Sequence, residues 1–197
     1  MKYWQARLPF SSHGQTWRRS GLDATVSVNL SLKSLADVNI ADRVTELVLA
    51  QDLDPRNMVL EVTESAAASQ LGSALENLSR LRMKGFGLSI DDYGTGYSSM
   101  QQLSRIAFTE LKIDQSFVRD ACRQKSSRVI LESSLGMAKR LGIVAVAEGV
   151  ESQPEWDLLL SLGCDLRQGY FIAPPMETGE FLTGSGPEDV SRSASHL

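Results

Sequence analysis

Apolar and polar positions alternate over Val26, Ser27, Val28, Asn29 and Leu30, and this period of two predicts a β-strand. Ile40, Val44, Leu47 and Val48 then recur at i, i+4, i+7 and i+8, which predicts an amphipathic helix that ends before Asp54-Pro55. Residues 58–63 (MVLEVT) form a second expected strand. Leu71, Leu75 and Leu78 mark the next helix, closed by Lys84-Gly85. Residues 86–90 and 111–113 read as the third and fourth strands. Ile130, Leu131, Leu135, Ala138 and Leu141 mark a long helix stopped by Gly142. A fifth strand at 143–147, a helix around 155–162 and a short sixth strand around 166–171 complete the pattern.

Regular alternation of strand and helix predicts an α/β fold, a parallel sheet with helices outside it. No Gly-rich first turn of a dinucleotide-binding fold is present. Nearly every strand instead ends in a polar or charged residue, and in a (β/α)8 TIM-type barrel that rim holds the active site. The expectation is an incomplete (β/α)8 barrel of about six βα units, with the folded domain at 22–182. Residues 1–21 are poorly patterned, with 17–22 able to end a helical turn at Gly21, and 183–197 has the polar composition of a disordered tail.

Charge and cysteine usage narrow the functions. Lys+Arg 20 against Asp+Glu 24 gives −4, which lacks the basic field of a nucleic-acid-polymer or anionic-membrane binder. No apolar run approaches the roughly 20 residues of a membrane span, and the first residues lack the apolar core of a secretory signal. Cys122 and Cys164 make no disulfide framework, so a cytoplasmic location with reduced thiols is expected. His13 and His196, near the two ends, leave no His-rich zinc site.

The chemistry-bearing residues gather at strand ends: Asn29, Glu61 with Glu64, Asp91-Asp92, Lys112 with Asp114, Glu148 with Glu151, and Gln168. Alternation puts Val28, Leu30, Leu60 and Val62 against helices, so Asn29, Glu61 and Lys112 point into the barrel. Two like charges about 4 Å apart repel by about 4 kcal/mol at an effective dielectric near 20. Such a cluster raises some pKa values, pairs with lysine or binds a cation. Oxygen-only donors suit Mg²⁺ or Mn²⁺, and an Asp-Asp pair can bridge two ions that clamp a phosphodiester displacement. Plainer alternatives stand beside this: carboxylates capping the following helices, Lys112 as a structural ion-pair partner, Glu64 and Glu151 as solvated charges, and 91–99 as a surface turn. A Mg²⁺-assisted lyase with Lys112 as base is a further reading of the same residues.

Six segments together resemble the EAL-domain cyclic di-GMP phosphodiesterases of bacteria: 26–31 (VSVNLS), 60–65 (LEVTES), 91–99 (DDYGTGYSS), 111–118 (LKIDQSFV), 146–151 (VAEGVE) and 163–170 (GCDLRQGY). The wording around 100–105 and 171–175 is most similar to the response-regulator type. The resemblance implies hydrolysis of cyclic di-GMP to linear pGpG at a two-metal Mg²⁺ or Mn²⁺ site, by in-line attack of water on phosphorus. By position, it makes Asn29, Glu61 and Asp91 ligands of one metal and Asp91 and Asp92 ligands of the other. Lys112 corresponds to the lysine that positions the attacking water, and Glu148 to an acidic metal ligand or general base. Gln168 corresponds to a metal-site or substrate contact and Glu64 to the anchor of the 91–99 loop, while Glu151 and Asp114 lie on the same rim. The resemblance also implies a homodimer, with a receiver or sensor domain in full-length relatives. The family's Glu-Ala-Leu stretch and a nearby substrate-binding Arg are absent, so an N-terminally truncated domain with little or no turnover is expected. The alternative is a non-catalytic cyclic di-GMP receptor or protein-interaction module.

Overall fold

A computed structural model describes residues 2–5, 24–64, 72–94 and 106–175. Among these residues, seven parallel strands form one sheet in strict chain order: β1 (Lys2–Gln5), β2 (Ala24–Asn29), β3 (Met58–Thr63), β4 (Gly87–Tyr93), β5 (Glu110–Ile113), β6 (Val144–Ala147) and β7 (Leu166–Arg167). A doubly wound sheet reverses its strand order at a switch point. Unbroken sequential order is barrel winding, and the fold is an α/β half-barrel of the TIM type. All six expected strands are present. The seventh, β1, lies in a stretch with too few residues and too little alternation to announce itself, and pairs with β2 from Lys2↔Ala24 to Gln5↔Ser27.

The connecting helices are α1 (Leu32–Leu35), α2 (Ile40–Leu49), α3 (Gly72–Met83), α4 (Gln115–Ala121), α5 (Lys125–Leu141) and α6 (Gln153–Ser161). Their ends are chemically specified. Ser31 accepts from Ser34 N–H at 3.1 Å at the start of α1, and Asp114 accepts from Ser116 N–H at 3.0 Å at the start of α4. Gly142 ends α5 in the left-handed region, at φ 68°. Glu155 accepts from the N–H groups of Glu151 and Ser152, at 2.7 and 3.1 Å, at the start of α6.

Leu60, Val62, Leu88, Ile90, Leu111, Ile113, Ala145 and Ala147 pack outward into the core shared with the helices. The intervening Glu61, Ser89, Glu110 and Lys112 are buried on the opposite, inner face.

The helix stripes need correcting in detail. Leu47 is 59% exposed, and α2 buries Ala41 and Val48 instead. Ile130 and Leu141 are exposed, while α5 buries Ser127, Leu131, Ser134, Leu135 and Ala138. α3 buries Ala74, Asn77, Leu78 and Leu81, with Leu75 at the margin. Small and hydroxyl residues fit against the sheet where a large apolar side chain was expected, and the buried face turns toward them. Leu71, residues 17–22, residues 95–99 and the tail from 183 lie outside the described residues.

Candidate active site

Lys112 is 1% exposed, and its ammonium group meets three carboxylates: Glu148 Oε1 at 2.6 Å, Asp91 Oδ1 at 2.9 Å and Glu61 Oε1 at 3.1 Å. Each comes from a different strand end. Glu61 lies on β3 opposite Asn29 of β2 and Ser89 of β4. Asp91 lies on β4 opposite Thr63. Glu148 follows β6 and extends its ladder, donating its N–H to Ile113 C=O at 3.2 Å.

A bulge sets the geometry of Asp91 and Asp92. Pairing between β4 and β5 runs Ile90↔Leu111 and then Tyr93↔Ile113, so two aspartates oppose the single Lys112. Consecutive strand residues normally point to opposite faces. Asp92 departs from the strand with φ 56°, a left-handed conformation that aspartate tolerates better than most residues. One oxygen each of Asp91, Asp92 and Glu148 consequently lie within 4.8 Å of one another.

Glu61, Asp91 and Glu148 share one buried ammonium and Asp92 stands beside them, so negative charge is in excess. Burial pushes the Glu148 carboxyl up to about 7, with Asp91 and Glu61 adding to the rise, although Lys112 opposes it. Burial also raises Asp92, helped by Asp91 and Asp114. Burial alone would lower Lys112, but Glu148, Glu61 and Asp91 outweigh it and hold the amine charged, above its ordinary value. Carboxylate oxygens with no thiolate or imidazole among them are the donor set of a hard divalent cation. Asp91, Asp92 and Glu148 are the residues placed to hold one.

The other candidates divide. Glu64 is buried and accepts from Gly94 N–H at 3.0 Å, tying the end of β3 to the turn that follows Asp91 and Asp92. Asp114 caps α4 through Ser116, and its charge is felt at Asp92. Asn29 is exposed at the end of β2, beside Glu61 in register. Gln168 is half-buried where β7 ends, and its N–H donates to Ala147 C=O at 2.9 Å. Glu151 is exposed, and its backbone is engaged by Glu155. Glu110 is a further inner-face acid that strand-end position does not single out: it is 3% exposed, in the register row of Glu61 and Ser89. Its place two residues before Lys112 was the available signal.

Comparison with known proteins defines the class. The family model described as "EAL domain" matches residues 10–175, and the chain belongs to this family. It is 36% identical over 184 residues to the cyclic di-GMP phosphodiesterase RocR of Pseudomonas aeruginosa, covering 91% of this chain and 46% of RocR. The chain therefore spans less than half the length of that relative. Among solved structures, the PaMucR phosphodiesterase in complex with c-di-GMP superposes with a TM-score of 0.81 and 35% identity, over 85% of this chain and 68% of PaMucR. The manganese/cy-diGMP complex of Klebsiella pneumoniae BlrP1 gives 0.76 and 31%, over 83% of this chain and 42% of BlrP1.

Proposed function

We propose that this chain binds cyclic di-GMP at the Lys112 rim and hydrolyses it to linear pGpG with Mg²⁺ or Mn²⁺. The observation that carries the reading is Lys112 buried between Glu61, Asp91 and Glu148 at the C-terminal ends of a parallel sheet, in a chain of the EAL family. Cyclic di-GMP complexes of similar proteins, one of them with manganese, support the choice of ligand and cation.

Asn29, Glu61, Asp91, Asp92 and Glu148 are the proposed cation ligands. The cations would supply charge neutralisation at the phosphodiester and a more acidic water. Lys112 orients Asp91 and Glu148, and its fixed positive charge favours an anionic phosphoryl group beside them. Glu148, held against Lys112, is the carboxylate proposed to take a proton from water. Glu64 holds the turn behind the aspartates, Asp114 fixes α4, and Gln168 and Glu151 border the substrate. The proposed bounds of the folded unit are 22–182, starting within and ending just beyond the family match at 10–175. A homodimer, a cytoplasmic location and a receiver or sensor domain in full-length relatives belong to the same proposal.

No Glu-Ala-Leu tripeptide occurs in the chain, so the expected rate is low. The test is cyclic di-GMP hydrolysis with Mn²⁺ by the purified chain and by Glu148→Ala. Release of pGpG that disappears in the variant supports the proposal. Tight cyclic di-GMP binding without turnover replaces it with a receptor role, and neither binding nor turnover by folded protein rejects both.

A further inference from the structure

The turn that carries Glu148 is gripped from two sides, each time at a glycine. A Cβ on Gly169 would lie 2.2 Å from both the N and the O of Val150, inside that residue's backbone. A Cβ on Gly149, where φ is 65°, would lie 2.4 Å from Gln115 Cβ and 3.4 Å from its Cα. Gly87 and Gly94 are crowded too, at 2.9 Å from Val59 Cγ2 and 2.7 Å from Phe117 Cε2, but only Gly169 meets peptide atoms this closely, and at Gly72, Gly136, Gly142 and Gly163 an added Cβ would meet nothing within 4 Å.

Backbone hydrogen bonds stitch the same contact together. Gln168 N–H donates to Ala147 C=O and Val150 N–H to Gln168 C=O, both at 2.9 Å, and Phe171 N–H donates to Val150 C=O at 3.0 Å. The turn 148–150 is thus wedged between the head of α4 and the exit of β7, and Glu148 emerges from it to reach Lys112. The contact with Gly169 is to peptide atoms, so no flexible side chain can swing away to admit a methyl group.

We infer that Gly169 and Gly149 are positioning residues: by admitting Val150 and Gln115 to closest approach, they seat the Glu148 carboxylate in the acidic cluster. Neither acts on substrate itself. The inference rests on the reading of Glu148 as part of a cation and phosphodiester site. It adds the residues that set where Glu148 stands. Misplacement of a catalytic group by about 1 Å can cost on the order of 100-fold in rate.

The test compares wild type, Gly169→Ala, Glu148→Gln, the double variant and Gly136→Ala as a control. Mn²⁺ affinity is read by electron paramagnetic resonance, and kcat and KM with cyclic di-GMP. Gly169→Ala is expected to weaken Mn²⁺ about 10-fold and to lower kcat more than it raises KM, with Gly136→Ala like wild type. In the Glu148→Gln background it should add nothing further, because the carboxylate it displaces is already gone. Wild-type affinity in Gly169→Ala, or full multiplication of the two losses in the double variant, overturns the inference. If Gly169→Ala does not fold, Gly149→Ala presses on the same turn from α4 and is judged by the same criteria. If wild type binds no Mn²⁺, the cation reading falls. Crystal structures of wild type and variant then decide positioning: a Lys112–Glu148 contact kept in the variant overturns it, and one lost upholds it.

Discussion

With Glu61, Asp91 and Glu148 all within 3.1 Å of its Nζ, Lys112 cannot be removed without leaving carboxylates facing one another. Lys112→Met should cost about 3 kcal/mol of stability in chelator, since breaking a buried charge cluster on one side strands the other. Urea unfolding with EDTA and with Mn²⁺ checks this, and Mn²⁺ should recover part of the loss. Glu148 gives a pH signature. Its folded pKa of about 7 exceeds the ordinary 4.5, so the folded state holds the proton more tightly. Its contribution to stability is present below about pH 4.5 and is lost as pH rises through 7. The loss amounts to roughly 3 kcal/mol at most. Unfolding in EDTA at pH 5 and 7.5 should show that loss in wild type and not in Glu148→Gln. Asp92 is the third test. Asparagine tolerates its left-handed backbone and removes a negative charge beside Asp91, so Asp92→Asn should weaken Mn²⁺ binding while stability in EDTA rises slightly, solvent screening limiting the gain at this exposed residue. Thermal melts and Mn²⁺ titration measure the two effects. At this scale the identities of Glu61, Asp91, Lys112 and Glu148 were legible from their places at strand ends. The sharing of one ammonium among three acids was not, because it depends on how neighbouring strands align.

The β4 bulge and the helix faces show what an element adds to its residues. Alternation along β4 sends Asp91 and Asp92 to opposite faces, and the register slip against β5 accompanies the left-handed turn that brings Asp92 to the same cluster as Asp91 and Glu148. No local sequence rule announces that slip, since two aspartates before a glycine also fit a plain turn. The outward stripe of β3, Leu60 and Val62, was fully legible because a period of two survives any small rotation. Helix faces were less so. On α3, Asn77 is buried and not a leucine, because its side-chain amide donates to Leu35 C=O and Asp37 C=O, both at 2.9 Å, and pins the turn between α1 and α2. Asn77→Ala should therefore cost about 2 kcal/mol by leaving carbonyl groups under-satisfied. Denaturant midpoints at constant m-value test it. A change below about 0.5 kcal/mol would mean that the carbonyls find other partners.

At the scale of the fold, seven parallel strands among the described residues, in chain order, deliver their C-terminal ends to one side, and the acidic cluster stands there. That architecture was readable because the strands from β2 to β7 repeat the same signals, a short apolar run with a polar end, so that errors in one unit did not disturb the rest. β1 escaped notice because a four-residue strand carries too little pattern to stand out without a partner, and pairing with β2 is a non-local fact. The central claim, that these strand ends form a cyclic di-GMP phosphodiesterase site, is tested most directly by pGpG release. Purified chain is incubated with cyclic di-GMP and Mn²⁺, beside the same reaction in EDTA and with Lys112→Met. The account predicts pGpG with Mn²⁺, none in EDTA, and a loss of about 100-fold or more in the variant. No pGpG from folded wild type with Mn²⁺, or release undiminished by EDTA or by loss of Lys112, would contradict it.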